Sequence, residues 1–280
     1  MRIGIVGLGL IGGSLAKAYS KVGGYDVLAY DIDPSVLSIA QVEGAVQEEL
    51  TMENAQGCEL ILIAVNPTAA IDYLREVAPK LSRENLVIDC CGTKREICEV
   101  GFDLASQYGF TFAGGHPMAG TQFSGFAYSR TDLFKGAPMV IVPKEFDDME
   151  LLQRIRLALA PAGFKGIAIT SAQEHDRIIA FTSQLAHVVS NAFIKSPTAI
   201  GHKGISAGSY RDLTRVAWLN ARMWTDLFLQ NADHLSSEID IIIKELNKYK
   251  EAIAAGDADK LCGLLEEGKK CKEQIDGRGA

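Results

Sequence analysis

The chain has 280 residues, of which 48% are apolar and 22% charged, and a net charge of −7; this is enough for about two domains with a sizeable core, and the composition is not that of a disordered chain. The acidic balance excludes a dominant basic face for nonspecific binding to nucleic acid or anionic membrane, and no apolar run reaches transmembrane length. Partners are therefore expected to be small molecules or proteins, with no nucleic acid and no membrane.

Met1 leads at once into RIGIVGLGLIGG, which reads as a strand and glycine turn rather than a secretory leader. Six cysteines, with no CxxC pair and no zinc-ligand spacing, point to reduced thiols in a cytoplasmic protein that binds no metal. Short β-rich runs then alternate with helical stretches: RIGIV (2–6), DVLAY (26–30), LILIAV (60–65), LVID (86–89), FTFAG (110–114), MVIVP (139–143) and GIAIT (166–170). That alternation is the mark of a parallel sheet with helices on both faces. Asp33-Pro34 and Asn66-Pro67 each set a capping residue before a first-turn proline, which predicts two helix starts.

The first chemical motif is GLGLIG, comprising Gly7, Leu8, Gly9, Leu10, Ile11 and Gly12, between the first strand and a helix ending near Val22. In that context GxGxxG supplies a tight turn, close backbone approach to a pyrophosphate and close helix-to-sheet packing. Asp31, 19 positions beyond Gly12, suits an adenine-ribose 2′-hydroxyl and repels a 2′-phosphate, so NAD is expected in preference to NADP. The alternative is that Asp31 or Asp33 only caps the next helix.

CCGTKREI (90–97) leaves the fourth strand at the sheet edge where ligands lie in doubly wound folds. Thr93 and Lys94 could face the nicotinamide region; Thr93 could equally cap the following helix, and for Lys94 a solvated lysine at a helix start is the simpler reading. Cys90 and Cys91 read as buried packing. AGGHPMAGT (113–121) reads as a loop in which His116 stands between a glycine pair and a proline, either packed in a turn or positioned to handle a proton.

After about Ser171 the strands stop and helical periodicity takes over, through IIAFTSQLAHVVSNAFI, DLTRVAWLNARMWTDLFLQNA, DHLSSEIDIIIKELNKYKEAI and DADKLCGLLEEGKKCKEQI. The predicted fold is therefore α/β: a Rossmann-type doubly wound sheet over residues 1–170, followed by an all-α domain over 171–280. Several of the later helices are apolar over a wide arc, so a homodimer is expected. Residues 195–224 carry Lys195, Lys203, Arg211, Arg215 and Arg222 against the single acid Asp212; five cations less one anion leave a local +4, suited to an anionic ligand. Arg211 and Arg215 stand at i and i+4 after a Gly/Ser-rich approach, and their planar forks suit carboxylates. For Arg222 a solvated face is the simpler reading. His187, Trp218 and Trp224 read first as core residues.

GLGLIGGS, CCGTK, GGHPMAG, the HVV helix and YRDLTRVA followed by MWTDLFLQN occur in this order, and the chain resembles the prephenate/arogenate dehydrogenase family of tyrosine biosynthesis over essentially its whole length, in a short form with a single function. The resemblance implies an NAD-dependent oxidative decarboxylation in which His116 accepts the 4-hydroxyl proton. It also implies that Thr93, where many members have serine, bonds the same hydroxyl, that Arg215 and His187 contact the substrate, and that Arg211 stands near the site entrance. Where many relatives read HLPH this chain reads QLAH, with Gln184 in place of the first histidine. His187 is retained, which favours prephenate over arogenate. Two other classes compete with this reading: a β-hydroxyacid or imine reductase type of dehydrogenase, which the absence of an interior lysine between Glu174 and Lys195 disfavours, and a nonenzymatic NAD-binding sensor, which would need neither His116 nor the arginines.

Overall fold

The computed structural model describes residues 1–121, 123–201 and 204–277. Among these residues eight strands form one sheet. They are β1 (Arg2–Val6), β2 (Asp26–Tyr30), β3 (Glu48–Glu49), β4 (Leu60–Ile63), β5 (Leu86–Asp89), β6 (Thr111–Pro117), β7 (Pro138–Val142) and β8 (Gly166–Ile169), in the spatial order β3-β2-β1-β4-β5-β6-β7-β8. All neighbours are parallel except β6 and β7, where His116 pairs with Val140. The helices α1 (Leu10–Val22), α2 (Pro34–Val42), α3 (Pro67–Val77), α4 (Arg95–Tyr108) and α5 (Met149–Leu159) lie between strands in the chain.

The strand residues divide by period two between the faces of the sheet. Leu60, Leu62, Leu86 and Ile88 join one core cluster, while Ile61, Ile63 and Val87 join the other. Burial on both faces is why these strands read as continuous apolar runs. Both predicted proline-led caps form: Asp33 accepts from the Ser35 N–H and Asn66 from the Ala69 N–H.

The helical part begins with α6 (Ala172–Ile179), which passes through a π-helical segment, Ala180–Leu185, into α7 (Ala186–Phe193). Next come α8 (Gly208–Thr214), α9 (Ala221–Gln230), α10 (Ala232–Ala255) and α11 (Ala258–Ile275). By contacts the chain forms two compact units, Met1–Asn231 and Ala232–Ala280. Within the second, α10 and α11 pack on each other, and the Tyr249 hydroxyl donates to the Leu264 carbonyl at 3.1 Å.

Two predicted elements differ in the structure. FTFAG extends into the glycine-histidine segment, so His116 sits on β6 rather than in a loop; the ladder with β7 supplies the backbone partners a loop would lack. The run 212–232 is not one helix: Arg215–Ala217 is a 3₁₀ turn, and α9 restarts after Asn220, whose side chain accepts from the Met223 N–H.

Candidate active site

The nucleotide turn is built by three close approaches. Gly7 has φ +87°, a left-handed conformation open to glycine. A Cβ on Gly12 would stand 1.8 Å from the Gly7 carbonyl oxygen, so only hydrogen fits where α1 meets β1. At Gly9 a Cβ would meet nothing within 4 Å, and no side chain caps α1, so the first N–H groups of the helix remain available for phosphate oxygens. Asp31 accepts from the Leu8 N–H at 2.7 Å and the Asp33 N–H at 3.0 Å. The helix cap belongs to Asp33, which leaves Asp31 beside the turn. These features fit a dinucleotide.

At the carboxyl end of β5 the buried Asp89 organises the neighbouring segments. One oxygen accepts from the Gly115 N–H at 3.0 Å and the other from the Cys91 N–H at 2.9 Å, and Lys94 Nζ pairs with the same carboxylate. Lys94 is 0% exposed, which corrects the expectation of a solvated lysine: it neutralises a buried carboxylate. Burial opposes its charge, but Asp89 outweighs that and holds the ammonium above the ordinary lysine value. The glycine pair before His116 follows from the same packing. A Cβ on Gly114 would lie 2.4 Å from Cys98 Sγ, and one on Gly115 would lie 2.3 Å from the Asp89 carbonyl oxygen. Cys91 is buried and Cys90 part-buried.

Thr93 is buried, and its hydroxyl donates to Gln230 Oε1 on α9 at 2.6 Å. It does not cap α4. That work falls to Asp176 on α6, whose carboxylate accepts from the N–H groups of Lys94 (2.7 Å) and Arg95 (3.0 Å). Arg95 also reaches Asn231 Oδ1 at 2.9 Å. His116 is part-buried, with Nδ1 2.9 Å from Nε2 of His175. His175 in turn places Nδ1 2.7 Å from Asp176 Oδ1. Burial, the neighbouring His175 and the Lys94 charge hold His116 well below the ordinary histidine value, against Asp176, so it is neutral near pH 7.

On α7, His187 donates Nδ1–H to the Ser183 carbonyl at 2.9 Å and stacks on Trp224 with ring centroids 3.8 Å apart. Burial and the charge of Arg215 lower its pKa, against the Ser183 hydrogen bond. Both rings line a cavity of about 290 Å³ with Asn191, Lys195 and Phe228, so neither is a sealed core residue. Trp218 is 79% exposed, which corrects its core reading: the break between the 3₁₀ turn and α9 turns it outward. Arg211 borders a concavity of about 290 Å³ formed with Ser206, Gly208 and Tyr210. Arg215 and Arg222 are exposed, and Lys203 lies outside the described residues. Gln184, in the π-helical segment before α7, is buried, donating to the Leu227 carbonyl of α9 at 3.0 Å and accepting from Asn231 Nδ2 at 2.9 Å. In this chain it fastens two helices.

The helix α9 is thus a shared wall. Its Gln230 touches Thr93, and its Trp224 touches His187. The structure does not join the two arginines to His116 by any direct contact among the described residues. Sequence reading passed over Asp89, His175, Asp176 and Gln230; an acid closing a strand run and a His-Asp pair opening a helix were the available signals.

A family model described as "Prephenate dehydrogenase, nucleotide-binding domain" matches residues 15–167, and one described as "Prephenate dehydrogenase, dimerization domain" matches residues 171–267. A prephenate dehydrogenase of Lactococcus lactis subsp. cremoris is 30% identical, the match covering 98% of this chain and 77% of that protein. The crystal structure of an A. aeolicus prephenate dehydrogenase in complex with hydroxyphenyl propionate and NAD+ is 28% identical, covers 98% of each chain and has a TM-score of 0.79. A Synechocystis arogenate dehydrogenase structure is also 28% identical, covers 98% of this chain and 100% of that one, and has a TM-score of 0.80.

Proposed function

The chain belongs to the prephenate dehydrogenase family, and from that premise we propose how its residues divide the NAD-dependent oxidative decarboxylation of prephenate to 4-hydroxyphenylpyruvate, a reaction of tyrosine biosynthesis. Residues 1–170 hold NAD, through the turn Gly7 to Gly12 and Asp31. Residues 171–280 bind the substrate and form a homodimer, and the reaction is cytoplasmic. NAD, when bound, supplies the hydride acceptor.

The residues of the chain manage charge and one proton. Arg215, with Arg211 at the approach, meets the substrate carboxylates, and His187 contacts the substrate beside it. The 4-hydroxyl lies against His116, whose Nε2 takes its proton as hydride leaves C4. The bond from C1 to the ring carboxylate then breaks, CO2 departs, and its electron pair completes the aromatic ring. The phenolic oxygen recovers the proton from His116, so no net proton is released. Thr93, whose hydroxyl rests on Gln230 in this structure, turns its proton to the oxygen of the 4-hydroxyl and helps align it for His116.

The observation that carries this reading is His116, part-buried at the carboxyl end of β6 and linked through His175 to Asp176, the residue that caps the helix following Thr93. The test is NAD reduction with prephenate, arogenate and a panel of β-hydroxyacids, following CO2. Prephenate is expected to turn over with stoichiometric CO2. Reduction with a β-hydroxyacid and none with prephenate would overturn the assignment, and preferential use of arogenate, the substrate named for the Synechocystis relative, would reassign the substrate.

A further inference from the structure

We propose that His175 and Asp176 are positioning residues that lock His116 in the Nδ1–H tautomer, leaving the Nε2 lone pair to face the substrate hydroxyl. This rests on the reading of His116 as the proton acceptor, and adds two residues from the helical part of the chain to its machinery.

The sense of the hydrogen-bond chain follows from its buried end. Asp176 is 0% exposed and receives the N–H groups of Lys94 and Arg95 together with Arg95 Nε at 3.3 Å. An ionised carboxylate only accepts. Burial alone favours its neutral form, but hydrogen bonds from His175 and from the backbone of Arg95 and Lys94 outweigh it and keep the carboxyl below its ordinary range. His175 Nδ1, 2.7 Å from Asp176 Oδ1, must therefore carry a proton. In neutral His175 the other nitrogen, Nε2, is then an acceptor. It lies 2.9 Å from His116 Nδ1, which must donate. His116 Nε2 is left unprotonated, the form a general base requires.

A free histidine side chain favours the opposite tautomer, with the proton on Nε2, so the arrangement has to be imposed. The other charged or titratable groups around the pair are Lys94 at the start of α4, Asp89 at the end of β5, Arg95, and Cys98 on α4. Lys94 and Asp89 neutralise each other, and Arg95 pairs with Asp176. When His116 gains the hydroxyl proton both its nitrogens donate, His175 Nε2 still accepts, and Asp176 offsets the new cation one ring away. No proton has to leave the chain before the phenolic oxygen recovers it.

The test reads the tautomer directly. In the full-length protein labelled with ¹⁵N, long-range ¹H–¹⁵N spectra at neutral pH, with His116 assigned by its loss in His116→Asn, are expected to show the Nδ1–H form. His175→Phe keeps a ring but no nitrogen; it should release His116 toward the Nε2–H form and lower kcat on the order of 10- to 100-fold, with KM for prephenate and Kd for NAD within about twofold. His175→Gln restores an acceptor toward His116 and a donor toward Asp176, and should recover much of both signals. An Nε2–H form in the wild type, or retention of Nδ1–H in His175→Phe whatever its turnover, overturns the proposal. The wild-type spectrum and His175→Gln decide the matter even if His175→Phe does not fold. Failure of the base assignment is a separate result, seen as near-normal turnover in His116→Asn.

Discussion

Asp31 holds the Leu8 N–H of the glycine turn, and in the proposed function the same carboxylate also reads a ribose hydroxyl. Replacing it with alanine would loosen the turn for either cofactor. Asp31→Asn keeps a carbonyl acceptor and removes the charge, so it should weaken NAD by about 1–3 kcal/mol and raise the relative use of NADP; measured Kd values for both cofactors check this, and a wild-type preference for NADP contradicts it. His116 is the second test at this scale. In the proposed mechanism its neutral form is the base, and burial beside His175 and Lys94 displaces its protonation to acid. The logarithm of kcat should stay level as pH falls through about 6.5, the ordinary histidine value, and drop only below it, a more acid limb than the sequence alone suggests. His116→Asn should lose about 10²–10⁴ in kcat together with that limb. The same shift sets a sign for stability: between the unfolded and folded pKa values the unfolded chain binds the extra proton, so stability declines as pH falls through that window.

At the scale of elements, the site is held by buried polar links between segments that the sheet alone would not keep in register. Asp89 ties β5 to β6 and to the turn before α4, and Asp176 caps α4 from α6. Breaking a buried pair by removing one partner leaves the other charge stranded. Lys94→Met should therefore cost about 3–5 kcal/mol, read as a lower urea midpoint with an unchanged slope. A loss below about 1 kcal/mol would mean that Asp89 takes a proton cheaply and that the pair is not structural. The motif CCGTK reads as a strand end followed by a helix start, and both occur. That its lysine points inward was not legible, because the partner acid belongs to the preceding strand, and only the chain reversal in three dimensions brings the two together. In the same way Gln184 reads as a missing histidine, whereas its bonds to Leu227 and Asn231 make it a fastener between helices.

For the whole molecule, the segment matched by the dimerization domain carries large apolar side chains on its surface: Ile200, Ile205, Trp218 and Leu229 are each more than 70% exposed. In the proposed homodimer these side chains are the candidates for burial against the partner. Sedimentation equilibrium should give twice the mass of the chain. Trp218→Glu should shift the equilibrium toward monomer while NAD binding persists, because the nucleotide turn lies on the opposite part of the sequence. A wild-type protein monomeric at high micromolar concentration would sink the homodimer.

Seven of the eight strands, the glycine turn, the acid after β2 and the candidacy of His116, Thr93, His187 and the arginines were legible in the chain, whereas the two-residue β3 and the antiparallel pairing of β6 with β7 were not. Each of the legible features is a local signal: a period of two, a proline-led cap, or a glycine spacing that a phosphate demands. Tertiary structure alone decided which side chains meet. His116 finds His175 across 59 positions and Thr93 finds Gln230 across 137. No periodicity encodes such pairs, since they arise only when a helix from the second half of the chain packs over the carboxyl edge of the sheet and its polar groups, once buried, must be satisfied by whatever lies opposite.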